Sequence, residues 1–124
     1  MESMRSRTAD YRPVNLNDRK WSPAEKGIAR KAFNGALQRE LDSITQEVKR
    51  RASVIKVPAE LWELEEYLSN SRKEINRKYD YRFSVLPIVF GQLVREGRVS
   101  IDELRGLADD KVAFISGVAE LRRE

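Results

Sequence analysis

Apolar and charged positions alternate with a helical period from Ser22 to about Val54, and no proline interrupts them after Pro23. Leu37, Leu41, Ile44, Val48 and Ile55 recur at spacings of three, four and seven, and Phe33 and Ala36 extend the stripe toward the N-terminus. "WSPAE" supplies the start. Ser22 caps, Pro23 sits where a missing N–H costs nothing, and Glu25 completes a capping box. "KVPAE" ends this helix, and Pro58 opens a second that reaches about Tyr79. Its stripe is Leu61, Leu64, Leu68, Ile75 and Tyr79, interrupted by Ser71 and Arg72.

The next run, "RFSVLPIVFGQLVREG", is apolar nearly all round. Periodicity alone leaves a strand open here, but Pro87 argues against a central strand and suits the first turn of a helix capped near Ser84. Gly97 is a C-terminal stop. "SIDE" at Ser100–Glu103 is a second capping box, opening a short helix with Ile101, Leu104 and Leu107. Asp109 or Asp110 caps a last helix with Val112, Ile115, Val118 and Ala119 on one side.

The expected fold is therefore all-α: two long helices in an antiparallel hairpin stalk, then a small three-helix head. Residues 1–20 are expected to be a disordered, mildly basic tail, 21–80 the hairpin and 81–124 the head. A first helix of about 33 residues is on the order of 50 Å long, beyond the roughly 30 Å of a small domain. Three short helices cannot sheath all of it. Its exposed stripe predicts a homodimer through the long helices, with Leu37, Leu41, Ile44, Thr45 and Val48 at the seam.

Composition narrows the chemistry. The chain has 124 residues, no Cys and no His. Thiol and imidazole catalysis and most transition-metal sites are thereby excluded. Its acid pairs lie among bases on exposed helices, and there is no phosphate loop or nucleophile–base set. A non-enzymatic protein is expected, with no cofactor and no metal. The 24 bases and 20 acids are interspersed, which predicts solvated helix surface. Residues 84–108 have a helix-turn-helix look, but "SIDELRGLADD" sets four acids against Arg105 and would repel phosphate. No nucleic-acid partner is expected. No stretch is apolar enough to span a membrane, and the start lacks a signal peptide, which predicts a cytoplasmic protein.

Trp62 reads either as a core residue or as a binding anchor. Trp, Tyr and Arg are enriched at binding hot spots. Arg72 follows ten positions later, on roughly the same side and about 15 Å away. Glu65, Glu66 and Tyr67 lie between them. Such a strip suits docking better than catalysis.

"WSPAE", "LQRELDSI", "ELWELEEYLS", "SRKEINRKYDYR", "GQLVREGRVS" and "LADDK", taken in order from Trp21 to about Leu121, resemble the fluorescence recovery proteins of cyanobacteria. The resemblance implies an all-helical dimer that binds the light-activated orange carotenoid protein, mainly through its C-terminal domain. It implies faster return of the red form to the orange form and release from the phycobilisome, with no covalent step. Trp62, Arg72 and Trp21 match positions the family uses, and Glu65–Glu66 stand where it shows a His–Asp pair. Thr45 replaces a seam leucine, while Ile88 and Phe114 replace an aromatic and a lysine. The same scaffold serving a different signalling protein is the alternative.

Overall fold

The computed structural model describes residues 21–121, so the tail expected over 1–20 lies outside the described residues. The described chain is helical, with no strand beyond one isolated bridge between Arg105 and Leu107. Helix α1 is Pro23–Ser53, α2 is Ala59–Lys78, α3 is Leu86–Arg95 and α4 is Asp109–Leu121. None of them is long and apolar enough to cross a membrane.

The first start signal forms as its chemistry requires. Ser22 Oγ accepts from the Glu25 N–H at 3.1 Å, and Glu25 Oε1 accepts from the Ser22 N–H at 3.0 Å. The "SIDE" capping box also closes, but it opens only a 3-10 turn, Ile101–Leu104. Arg105 is extended and Gly106 sits at φ 109°, where an L side chain would be strained, so the turn cannot grow into a third short helix. The expected Ser84 cap is replaced by Val85, without a side-chain cap. Neither Asp109 nor Asp110 caps α4. The Ala108 carbonyl accepts the first helical bond, from the Val112 N–H, and both aspartates fall inside the first turn.

The hydrophobic core unites the two ends of the described chain. Trp21, Ala29, Ala32, Phe33 and Ala36 meet Leu86, Val89, Phe90, Leu93, Val99, Leu104, Leu107 and Ile115 in one cluster. Trp21 and the first part of α1, through Ala36, supply one wall of this core. The buried face of α1 is Glu25, Ala29, Ala32, Phe33, Ala36 and Glu40, so of the expected stripe Phe33 and Ala36 are buried and the positions from Leu37 onward are not. Phe90, Leu86, Leu93, Leu104 and Ile115 are fully buried, each contributing roughly 1.5–3 kcal/mol.

Glu25 also joins this core's ends. Its Oε2 accepts from the Ala108 N–H at 2.8 Å and from Lys111 Nζ at 3.2 Å, so the residue that caps α1 also holds the start of α4. Burial alone would raise the pKa of Glu25; the Ser22 and Ala108 N–H groups and the Lys111 ammonium outweigh it and hold it below 4.5.

Beyond Glu40 the character changes. No residue of α1 after Glu40 is buried, and α2 buries only Lys78. Contacts between the two helices advance in opposite senses. Arg51 lies 4.2 Å over the Tyr67 ring, and Lys78 Nζ reaches Glu40 Oε2 at 2.8 Å.

Two outcomes follow. A Cβ on Gly91 would overlap the Val118 side chain at the crossing of α3 and α4. Gly91→Ala should lower stability by about 1–3 kcal/mol in urea unfolding, and adding Val118→Ala should recover part of the loss. Glu25, Glu96 and Glu103 are all held below their ordinary 4.5. Their contribution is complete above that value and disappears as pH falls through the lower folded values. Thermal stability should therefore fall on acidification below about pH 4.5, and the gap between Glu25→Gln and the unaltered chain should shrink there. An unchanged gap down to acid unfolding would contradict the role of Glu25.

Candidate protein-docking surface

The outer face of α2 carries most of the candidate docking residues. Trp62 is 66% exposed, against 8% for Trp21. Of the two readings for Trp62, core or anchor, the structure excludes the core. Glu65, Leu68, Ser69 and Arg72 line one shallow recess. Glu65 and Arg72, seven positions apart, stand two turns and about 10 Å from each other along the helix. The side chains of Glu65, Glu66 and Arg72 make no ion pair or hydrogen bond among the described residues. Their neighbours behave differently: Glu74 holds Arg77, and Glu47 holds both Arg50 and Arg51. Hydrogen bonds from Arg50 and Arg51 draw Glu47 down to about 2, so it stays a carboxylate. The recess thus presents an acid and a base that are both available to another molecule, with Leu68 between them.

Trp21 does not join this surface. Its ring packs 5.1 Å from that of Phe83, with Lys111 Nζ 5.0 Å over it, inside the head. An aromatic immediately before the Ser22 cap is drawn into the core that α1 enters, so Trp21 lacks the exposure expected of a docking residue. Its Nε1 has no acceptor among the described residues. Phe83, Tyr81, Phe33 and Tyr79 continue the ring contacts across the head. The three tyrosines among the described residues divide: Tyr79 and Tyr81 are packed against the core, and Tyr67 lies under Arg51.

The expected seam residues form a second open surface. Leu41 is 40% exposed, Thr45 is exposed, and Leu37, Ile44 and Val48 are half-buried. The Thr45 hydroxyl donates back to the Leu41 carbonyl at 2.9 Å, which satisfies it within its own helix. Val54, Val57 and Leu61 continue the apolar exposure around the far end of the pair.

Between the two surfaces and the head lies a cluster that the sequence reading missed. Lys78 is 4% exposed and its ammonium reaches Glu40 Oε2 at 2.8 Å and Glu96 Oε1 at 2.7 Å. Tyr79 donates its hydroxyl to Glu40 Oε1 at 2.8 Å while its ring meets Phe33 edge-on. Burial and the Glu40 carboxylate push the Tyr79 phenol up, so it remains a donor. Arg98 Nε lies 3.7 Å from Glu40, and Arg39 bonds the Arg98 carbonyl and Glu103. Interspersed charges suggested solvated surface, and for Lys78 and Glu40 that is corrected: both are buried among partners brought together from four distant segments. A basic residue in the last turn of α2 gave no separate signal. No group of three or more acids that could hold a metal occurs among the described residues.

The family model described as photoprotection regulator fluorescence recovery protein matches residues 21–119. A fluorescence recovery protein of Synechocystis sp. PCC 6803 is 46% identical over 101 residues, 82% of this chain and 93% of its own. The solved structure of the fluorescence recovery protein from that organism has a TM-score of 0.79 at 44% identity, covering 82% of this chain and 99% of its own. The Fremyella diplosiphon fluorescence recovery protein also gives 0.79, at 39% identity and the same coverage. With four helices among its described residues, a shared core and a match that spans residues 21–119, the chain belongs to the fluorescence recovery protein family of photoprotection regulators.

Proposed function

We propose that this chain is a non-enzymatic regulator that binds the C-terminal domain of the light-activated orange carotenoid protein. Binding speeds the return of the red form to the orange form and its release from the phycobilisome. Acceleration without covalent chemistry requires the regulator to hold an intermediate, compacted arrangement of its client better than the open one. Trp62 fills an apolar site on the client, Arg72 meets an acid, and Glu65 and Glu66 meet the polar rim. The observation that carries this reading is the exposure of Trp62 at 66% beside a recess lined by Glu65 and Arg72.

The active unit is a homodimer. In this arrangement α1 and α2 form an antiparallel hairpin stalk, and the half-exposed Leu41, Ile44 and Val48 of one copy cover those of the other. Support comes from α1 beyond Glu40, which buries nothing in a single chain. Covering such side chains contributes roughly 1.5–3 kcal/mol each. The acid pair Glu65–Glu66 supports a second reading, in which the same scaffold meets a signalling protein with a basic docking site.

Two measurements test the proposal. Orange carotenoid protein is photoactivated, this chain is added, and red-to-orange recovery is followed in the dark. Trp62→Ala and Arg72→Ala should each weaken client binding about thirty-fold, as expected for a hot spot of about 2 kcal/mol, with helicity unchanged. Recovery that is insensitive to saturating chain would leave only the second reading. In size-exclusion chromatography with light scattering at micromolar concentration, the mass should be two chains of 14.4 kDa. Ile44→Glu should shift it toward one chain, and a single-chain mass for the unaltered protein would remove the dimer.

A further inference from the structure

We propose that Lys78 is the positioning residue of the docking face: it fixes the rotation of α2 about its own axis and so aims Trp62, Glu65 and Arg72 at the client. The inference rests on the reading of that face given above. It begins from how little else holds the helix. Lys78 is the one buried residue of α2, and the apolar residues Leu61, Leu64, Leu68 and Ile75 are half-buried or exposed.

Along its middle, α2 faces α1 across an open polar cleft. Glu40, Ser43 and Ile44 line one side, and Tyr67, Asn70, Ser71 and Glu74 the other. Ile44 and Tyr67 are the apolar side chains of that lining, and both are only half-buried. Toward the far end, the Arg51 guanidinium over Tyr67 is itself solvent-accessible. At the near end, by contrast, the Lys78 ammonium is caught between carboxylates from two other elements, Glu40 of α1 and Glu96 at the C-terminus of α3. Turning α2 would pull a buried ammonium from both, and a buried charge without partners is costly.

Helix geometry connects this clamp to the docking face. At about 100° per residue, Arg72, Glu65 and Trp62 point roughly 120°, 140° and 160° away from Lys78. All three therefore look outward only while Lys78 looks inward. Trp62 lies about 24 Å along the axis from the clamp, so a small tilt there displaces the indole substantially.

The absence of cysteine allows a direct test. Nitroxides are attached at Ala59→Cys in α2 and Ala113→Cys in α4, both exposed positions. The labelled chain is diluted into excess unlabelled chain, and the distance between labels is measured by pulsed electron resonance alongside carotenoid-protein recovery. The unaltered background should give one narrow distribution. Lys78→Met should broaden or displace it and reduce the acceleration of recovery about tenfold or more, with helicity retained; Lys78→Arg, which keeps the charge, should restore both. If Lys78→Met alone unfolds, the triple variant Lys78→Met, Glu40→Gln, Glu96→Gln removes the stranded carboxylates and carries the test.

A folded variant without the ammonium that keeps the narrow distribution overturns the proposal. So does one with a displaced α2 and full recovery activity. If the unaltered chain has no effect on recovery, the client reading fails, and the distance distribution alone decides whether Lys78 orients α2.

Discussion

Lys78 Nζ sits between Glu40 and Glu96 at 2.8 and 2.7 Å, and Glu40 uses its other oxygen for the Tyr79 hydroxyl. Three helices converge on that ammonium, each through a residue near an end or at the limit of its buried face. The charges balance only as a set. Removing Lys78 or Glu40 strands the other where there is little water, at a cost of about 3–5 kcal/mol for a buried pair, while Glu96 keeps some water. A hydrophobic substitute could be as stable, but it would not dictate one orientation of one helix as hydrogen-bonded charges do. Direction, more than stability, is what this cluster supplies.

Glu25 performs the related task at the other end of the same helix face. It closes the capping box of α1, receives the Ala108 N–H and pairs with Lys111. Between Glu25 and Glu40 the buried face of α1 is alanine with one phenylalanine, and it forms a wall of the head. The two carboxylates thus bracket the part of α1 that belongs to the core. Past Glu40 the helix continues without buried residues, and its leucine, isoleucine and valine positions remain available.

This division between a closed head and an open helix pair matches the kind of work assigned to the family. Binding energy between proteins concentrates in a few aromatic and arginine side chains on a firm support. Trp62 and Arg72 are displayed on a helix, which presents them with less loss of conformational freedom than a loop would. An acid and a base in one recess favour one charge pattern on any bound protein and oppose others, which serves specificity more than affinity.

The sequence by itself determined the helices and much of their punctuation. Ser22 with Glu25, Pro58, Pro87 and Gly97 act through local backbone chemistry, and the two long helices fall within a residue or two of their expected ends. The ordered motifs also carried the family. What only the tertiary structure decided was which face of each helix is inside. The stripe that runs from Phe33 to Val48 divides: Phe33 and Ala36 are buried beside Ala29, Ala32 and two glutamates, because the head needs a wall at Glu25–Glu40, while Leu37, Leu41, Ile44 and Val48 keep partial exposure. Trp21 and Trp62 have the same side chain and opposite fates, set by whether a core lies beside them. The Lys78 cluster was invisible for the same reason. Its members are 18 and 38 positions apart from Lys78, and a charge reveals that it is buried only when the fold brings its partners to it.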